Sequence, residues 1–276
     1  IRFLTGRPSH ERSVSSGRGH HTGRSSPSGS SIAVKVAQQG IQVRLKEASE
    51  GRVDACQVEL EAELDRAVQR FDSTDVEKRA VLSRIRWETG YEGVRSCDLA
   101  IETVQEDAEL KRGILHEIDR LLPLERPVVV NTSTLSITEL AAQNSQPQRI
   151  VGMHFLYPVT TTRVVEVVRG QLTSDDAFAR AVEFGRLIGK VPIKVFEMPG
   201  FVTTRVVLPL INEAVHVVME GVAEAAEVDL AMKLGYDFRT GRAIMLEAVL
   251  RTLGEHGAEL EAASNSFAVF FSITLK

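Results

Sequence analysis

Cysteine is nearly absent from this sequence. Its 276 residues include two, Cys56 and Cys97. Two thiols so far apart make neither a spaced metal motif nor a disulfide framework, and they read as reduced intracellular thiols. An excess of basic charge is also missing. Lys and Arg total 33 against 37 for Asp and Glu, a net charge of −4, which argues against a nucleic-acid partner. No apolar run is long enough to span a membrane. The opening IRFLTGRPSHERS lacks the apolar core of a secretory signal. It has some of the Arg and Ser content of an organelle transit segment but no amphipathic pattern, so a cytoplasmic protein is expected. Residues 5–31 are rich in Ser, Gly, Arg, His and Pro and almost lack apolar side chains. Such a stretch cannot offset the entropy of ordering by burial. The rest is ordinary for a soluble protein: 43% hydrophobic and 25% charged residues, and enough length for two modest domains.

The informative stretch runs from residue 131 to 169. Residues 127–130 (PVVV) form a short β-branched run, as expected of a buried strand, and it leaves through Asn131-Thr132-Ser133. Ser136 followed by Glu139 has the spacing of a capping box, so a helix is expected to begin there. Ser133 then falls at the carboxyl end of a strand, the edge of an open α/β sheet where ligands bind. Residues 150–155 form a second apolar run interrupted by His154, and residues 164–168 a third interrupted by Glu166. A carboxylate among four valines is costly to bury without a partner, and a histidine is the obvious one. A Glu–His pair fixes the imidazole tautomer and raises its basicity, which suits a general base near neutral pH. Taken singly, each residue has a plainer reading: a core histidine, an edge-strand glutamate, a turn serine. Their order and spacing together favour a site.

That text resembles the 3-hydroxyacyl-CoA dehydrogenase family, including the dehydrogenase part of the multifunctional fatty-acid oxidation enzymes. The matching segments are IETVQEDAELK (101–111), NTSTLSITELA (131–141), GMHF (152–155), VVEVVRG (164–170), LIGKVPI (187–193) and PGFV (199–202). The resemblance covers roughly residues 32–235. The resemblance implies an α/β fold, with a Rossmann-like parallel-sheet domain (32–198) followed by a smaller all-helical domain (199–276). The second domain is short for its type and carries the homodimer contact. The resemblance also implies NAD as cofactor and an acyl-CoA substrate. His154 would take the hydroxyl proton, Glu166 would orient it, and Ser133 would hydrogen-bond the reacting oxygen. Glu106 and Lys111 match positions near the nicotinamide and its ribose.

The remaining expectations follow the chain. Residues 1–31 read as disordered, or as a degenerate first strand and glycine loop, with Gly23 and Gly29 the nearest matches to a GxGxxG phosphate loop. Ser26 stands where the central glycine would be, and Pro27 removes an N–H donor. A helix from Ile32 closes at Gly40, and the alternating residues 41–45 form a strand. Glu47 follows it, where an acidic residue bonds the adenosine ribose and favours NAD over NADP. Helices are expected over 53–68 and 73–86, a strand over 97–103, a helix from Ser174 to Gly189, a strand over 191–196, and helices over 201–220 and 224–234. Two substrate-side positions depart from the family pattern, which has Asn in both: Tyr157, three residues after His154, and Thr204, before Arg205. Those departures and the loop sustain a second reading, a catalytically impaired pseudoenzyme or interaction protein that keeps the fold. After residue 235 only scattered positions match.

Overall fold

The computed structural model describes residues 2–5 and 27–236, which fall into two compact units, Ile1–Val202 and Thr203–Lys276. In the first unit, eight strands alternate with six helices: β1 (Arg2–Thr5), α1 (Pro27–Gln38), β2 (Gln42–Lys46), α2 (Glu50–Gln69), α3 (Asp75–Leu82), β3 (Ile85–Glu88), β4 (Ala100–Glu102), α4 (Ala108–Leu121), β5 (Val128–Val130), α5 (Ile137–Ala141), β6 (Ile150–Phe155), β7 (Val164–Arg169), α6 (Asp175–Leu187) and β8 (Val191–Phe196). β1, β2 and β3 pair in parallel in that order, as do β4, β5 and β6. The backbone of β1 also runs close beside β4, so the two ladders meet edge to edge. This is the Rossmann-like parallel arrangement.

Three places differ from the sequence reading. Arg2–Thr5 is a strand where a disordered or degenerate segment was expected, and α1 begins at Pro27, ahead of residue 32. The short IRFL run suffices because β2 supplies its parallel partner, Arg2 to Thr5 lying against Gln42 to Leu45. Proline suits the first position of a helix, where its missing N–H would have had no helical acceptor. The helix expected to reach residue 86 ends at Leu82, and Ile85–Glu88 forms β3 against β2. Four residues are too few for a periodic signal. The pairing is sealed across the strands by Arg44, which donates to Glu88.

The period-2 alternation of β6 and β7 sorts their side chains onto two cores. Val151, Met153, Phe155, Val165 and Val167 join α1 and α6, among them Ile32, Val36 and Phe184. On the other face, Ile150 and Val168 pack with Ile114 and Ile118 of α4, Ile137 and Leu140 of α5, and Phe201. β4, β5 and β6 are buried at every position, as central strands covered on both faces are. β7 departs from the parallel rule: it pairs antiparallel with β6, placing its first residues at the edge where β4, β5 and β6 end. The β6–β7 connection is held from behind by buried Lys190, whose Nζ donates to the carbonyls of Val159 (2.7 Å) and Thr162 (2.5 Å). Burial, with repulsion from Lys35, pushes the Lys190 ammonium down to about 8.

The second unit begins with α7 (Thr203–Met219), which carries Pro209 inside it, and α8 (Ala225–Gly235). A turn through Gly221, with φ +69°, joins the two. α8 opens on a capping box between Glu224 and Glu227.

Gly152 on β6 shows how tightly the α5 face is closed. A Cβ there would meet Ile137 Cδ1 at 2.7 Å and Val168 Cβ at 2.9 Å, both held in the core. Gly152→Ala is therefore expected to cost about 1–3 kcal/mol of stability, read as a lowered urea midpoint at an unchanged slope.

Candidate active site

The parallel ladders bring the carboxyl ends of β4, β5 and β6 to one edge. Glu102 ends β4, Ser133 follows β5 by three residues, and His154 lies next to last on β6. The antiparallel register sets His154 directly opposite Glu166 on β7. Their side chains meet at 2.7 Å, His154 Nδ1 to Glu166 Oε2, with His154 7% exposed and Glu166 fully buried. A buried carboxylate accepts hydrogen bonds, so Nδ1–H is the donor here, and in the neutral ring Nε2 is the acceptor. The other Glu166 oxygen accepts the backbone N–H of Val202 at 3.0 Å. The Phe201 ring lies 5.8 Å from the His154 ring at an angle of 56°. Phe201 is buried with φ +50°, a backbone state that non-glycine residues adopt at some cost and that gathers at functional sites.

The Ser133 loop is shaped by a single carboxylate. Glu106 Oε1 accepts the N–H of Ser133 (2.9 Å), the N–H of Thr134 (2.9 Å) and the Thr134 hydroxyl (3.0 Å), together with the Thr132 hydroxyl. Burial works to raise the Glu106 carboxyl. The hydrogen bonds from Thr132, Ser133 and Thr134, with the nearby Lys111 ammonium, hold it below its ordinary value. Asn131, two residues before Ser133, accepts the N–H of Phe155 on its side-chain oxygen at 3.3 Å. The serine loop and the histidine strand are thus tied at their ends.

Lys111, which the family pattern puts near the cofactor, bonds inward. Its Nζ donates to Glu102 Oε2 (2.8 Å), to the Val104 carbonyl (3.1 Å) and to the Asn131 carbonyl (2.8 Å), and the side chain is fully buried. Those three bonds use all three donors of the ammonium. Lys111 therefore ties the ends of β4 and β5 together and has no donor left for a ligand. Burial pushes the Glu102 carboxyl above its ordinary range, and the Lys111 charge pulls against that.

Glu47 follows β2. It is 8% exposed, and its Oε2 is a buried acceptor without a hydrogen-bond partner among the described residues. A carboxylate oxygen left open at that edge fits the hydroxyl donors of a nucleotide ribose. Gly29 is buried in the first turns of α1; Gly23 and residues 24–26 of the expected phosphate loop lie outside the described residues. Tyr157 is 70% exposed on the β6–β7 connection. Thr204 belongs to α7 in the second unit. Sequence reasoning missed Phe201 and Val202. The signal was present in PGFV, where proline and glycine were read only as a domain boundary. Among the described residues, no group of three or more His, Cys, Asp or Glu is placed to hold a metal ion, and no helix is long and apolar enough to cross a membrane.

Lys111→Met would leave the Glu102 carboxyl buried without a counter-charge, with the Val104 N–H still donating to it. The expected cost is about 3–5 kcal/mol at alkaline pH. The cost should shrink toward pH 5, where the unpaired carboxyl takes up a proton in the folded state; urea unfolding at the two pH values measures both.

Known proteins resemble this chain in sequence and in fold. The family profile for the 3-hydroxyacyl-CoA dehydrogenase NAD-binding domain matches residues 28–198, and that for the C-terminal domain of the same family matches 200–270. The second match extends the family well past residue 235, where the sequence motifs had faded. A 3-hydroxybutyryl-CoA dehydrogenase of Clostridioides difficile is 39% identical over 77% of this chain and 76% of its own length. A probable 3-hydroxybutyryl-CoA dehydrogenase of Bacillus subtilis is 36% identical over 77% and 74%. The crystal structure of an (S)-3-hydroxybutyryl-CoA dehydrogenase from Ralstonia eutropha superposes with a TM-score of 0.74 at 34% identity, covering 86% of this chain and 78% of that one. With its nucleotide-binding sheet and its His–Glu pair, the chain belongs to the 3-hydroxyacyl-CoA dehydrogenase family of NAD-dependent oxidoreductases.

Proposed function

We propose that the chain interconverts (S)-3-hydroxyacyl-CoA and 3-oxoacyl-CoA with NAD, the oxidative step of fatty-acid β-oxidation. The observation that carries this reading is the buried His154–Glu166 pair at 2.7 Å on the sheet edge where the Ser133 loop emerges. His154 Nε2 takes the proton of the substrate hydroxyl as the carbonyl forms at C3. Glu166 holds the ring through Nδ1 and stabilises the imidazolium that results. The Ser133 hydroxyl, on a loop held by Glu106, hydrogen-bonds the reacting oxygen. Bound NAD would supply the hydride acceptor for C3. Glu47 binds its adenosine ribose, and the first turn of α1 with Gly29 receives its phosphates. Tyr157 and Thr204 take the substrate-side positions that their places in the family pattern assign. The intact His–Glu pair supports turnover over a catalytically silent relative.

We further infer a homodimer through the C-terminal helices. In support, α7 and α8 carry exposed Leu210, Leu230 and Leu234, and none of their described residues is buried. Sedimentation should give twice the chain mass, and a monomer at micromolar concentration would sink the inference.

The main reading is tested by NADH binding and by acetoacetyl-CoA-dependent NADH oxidation. His154→Ala should lower kcat by about 10²–10⁴-fold with little change in NADH affinity. Glu47→Ala should weaken NADH binding by about tenfold or more, as loss of a hydrogen bond to a charged group does. A folded wild-type chain that neither binds NADH nor oxidises it would overturn the reading.

A further inference from the structure

Glu197 has no part in the scheme above, yet it is bound at the junction of both halves of the site. It follows β8, and its own N–H donates to the Arg169 carbonyl at the end of β7 (2.9 Å). Its carboxylate accepts the hydroxyls of Ser136 and Thr138 and the Thr138 N–H, the last at 3.2 Å to each oxygen. Those donors sit at the start of α5, where the Ser133 loop ends. The Thr138 hydroxyl also accepts the N–H of Gln171 (2.8 Å), tying the same point to the far end of β7.

From Glu197 the chain needs only five residues to reach the catalytic pair. Gly200 turns it at φ +77°, and Phe201 follows at φ +50°. The Phe201 ring then meets His154, and the Val202 N–H meets Glu166 Oε1. Residues 197–202 therefore form a strap. One end is fixed to the segment that carries Ser133, the other to the carboxylate that orients His154. A cavity of about 340 Å³ lies along it, lined by Ser136, Thr138, Glu197, Met198 and Phe201 among others.

We propose that Glu197 is a positioning residue for the hydride-transfer reaction: it anchors the 197–202 strap to the start of α5, so that the serine loop and the His154–Glu166 pair keep one fixed relative placement. The proposal rests on the functional reading above, in which Ser133 and His154 act on the same oxygen. Reactions that need two groups aligned on one atom are sensitive to small displacements, and an error of about 1 Å costs on the order of 10²-fold in rate. Glu197 accepts three donors, so an amide in its place offers one acceptor and sets an N–H₂ against the others.

The test compares Glu197→Ala, Glu197→Gln and Thr138→Val with wild type, using acetoacetyl-CoA and NADH. Glu197→Ala is expected to lower kcat by about 10- to 100-fold, with NADH affinity unchanged. The limb of the kcat/KM pH profile that reports His154 should move, because Glu166 loses the fixed Val202 N–H. Thr138→Val, which removes one donor and spares the carboxylate, should show a smaller loss of the same kind. In a Glu166→Gln background the Glu197→Ala loss should shrink, since both act through His154. A wild-type kcat and pH profile in the folded fraction of Glu197→Ala, or fully additive losses in the double variant, would overturn the proposal. If Glu197→Ala does not fold, Glu197→Gln and Thr138→Val decide it by the same kcat and pH readouts. A wild-type chain without NADH oxidation would instead strike the functional reading, so the two failures are distinguishable.

Discussion

A carboxylate fully buried in a strand of valines is the constraint around which the first unit is arranged. Glu166 would be expensive to keep charged in that place without partners. It has the imidazole of His154 on one oxygen and the amide of Val202 on the other. Both partners depend on distant parts of the chain arriving in register. His154 requires the antiparallel turn of β7 against β6, and Val202 requires the chain to double back after β8. Phe201 and Ile137 close the same face, and Gly152 leaves the space that Ile137 fills. The pair is therefore both the centre of the candidate site and a demand on the fold.

Around that pair the irregular backbone is secured by carboxylates. Loops at the sheet edge have no ladder to satisfy their N–H groups, and buried donors need acceptors. Glu106 serves residues 132–134, Glu197 serves residues 136–138, and the Lys111–Glu102 pair locks the strand ends beneath them. The polar groups near the site thus divide into those open to a ligand and those turned inward. Glu47 Oε2 belongs to the first kind and Lys111 to the second.

Much of this was legible in the residues. The valine runs with His154 and Glu166 inside them announced buried strands with a paired charge, and Ser136 and Ser174 announced helix starts: each accepts the expected backbone N–H. What escaped the sequence was short or nonlocal. β1 and β3 have four residues each, too few for periodicity, and exist because β2 lies between them. The family pattern put Lys111 near the cofactor, but whether its ammonium reaches outward depends on where Glu102 and Asn131 stand in space, which spacing along the chain does not reveal. Phe201 and Val202 were hidden for the same reason: their partners are 47 and 36 positions away.

The reversed strand has one more consequence. His154 and Glu166 are twelve residues apart, but their pairing is set by the β6–β7 ladder, and the connection between them is anchored by Lys190 from the core side. The exposed tip carrying Tyr157 can therefore lengthen, shorten or change sequence without moving the reactive pair. That divides the hairpin into a fixed ladder and a tolerant tip. The His154–Glu166 pair is set by the ladder, so substitutions at the tip should leave it in register.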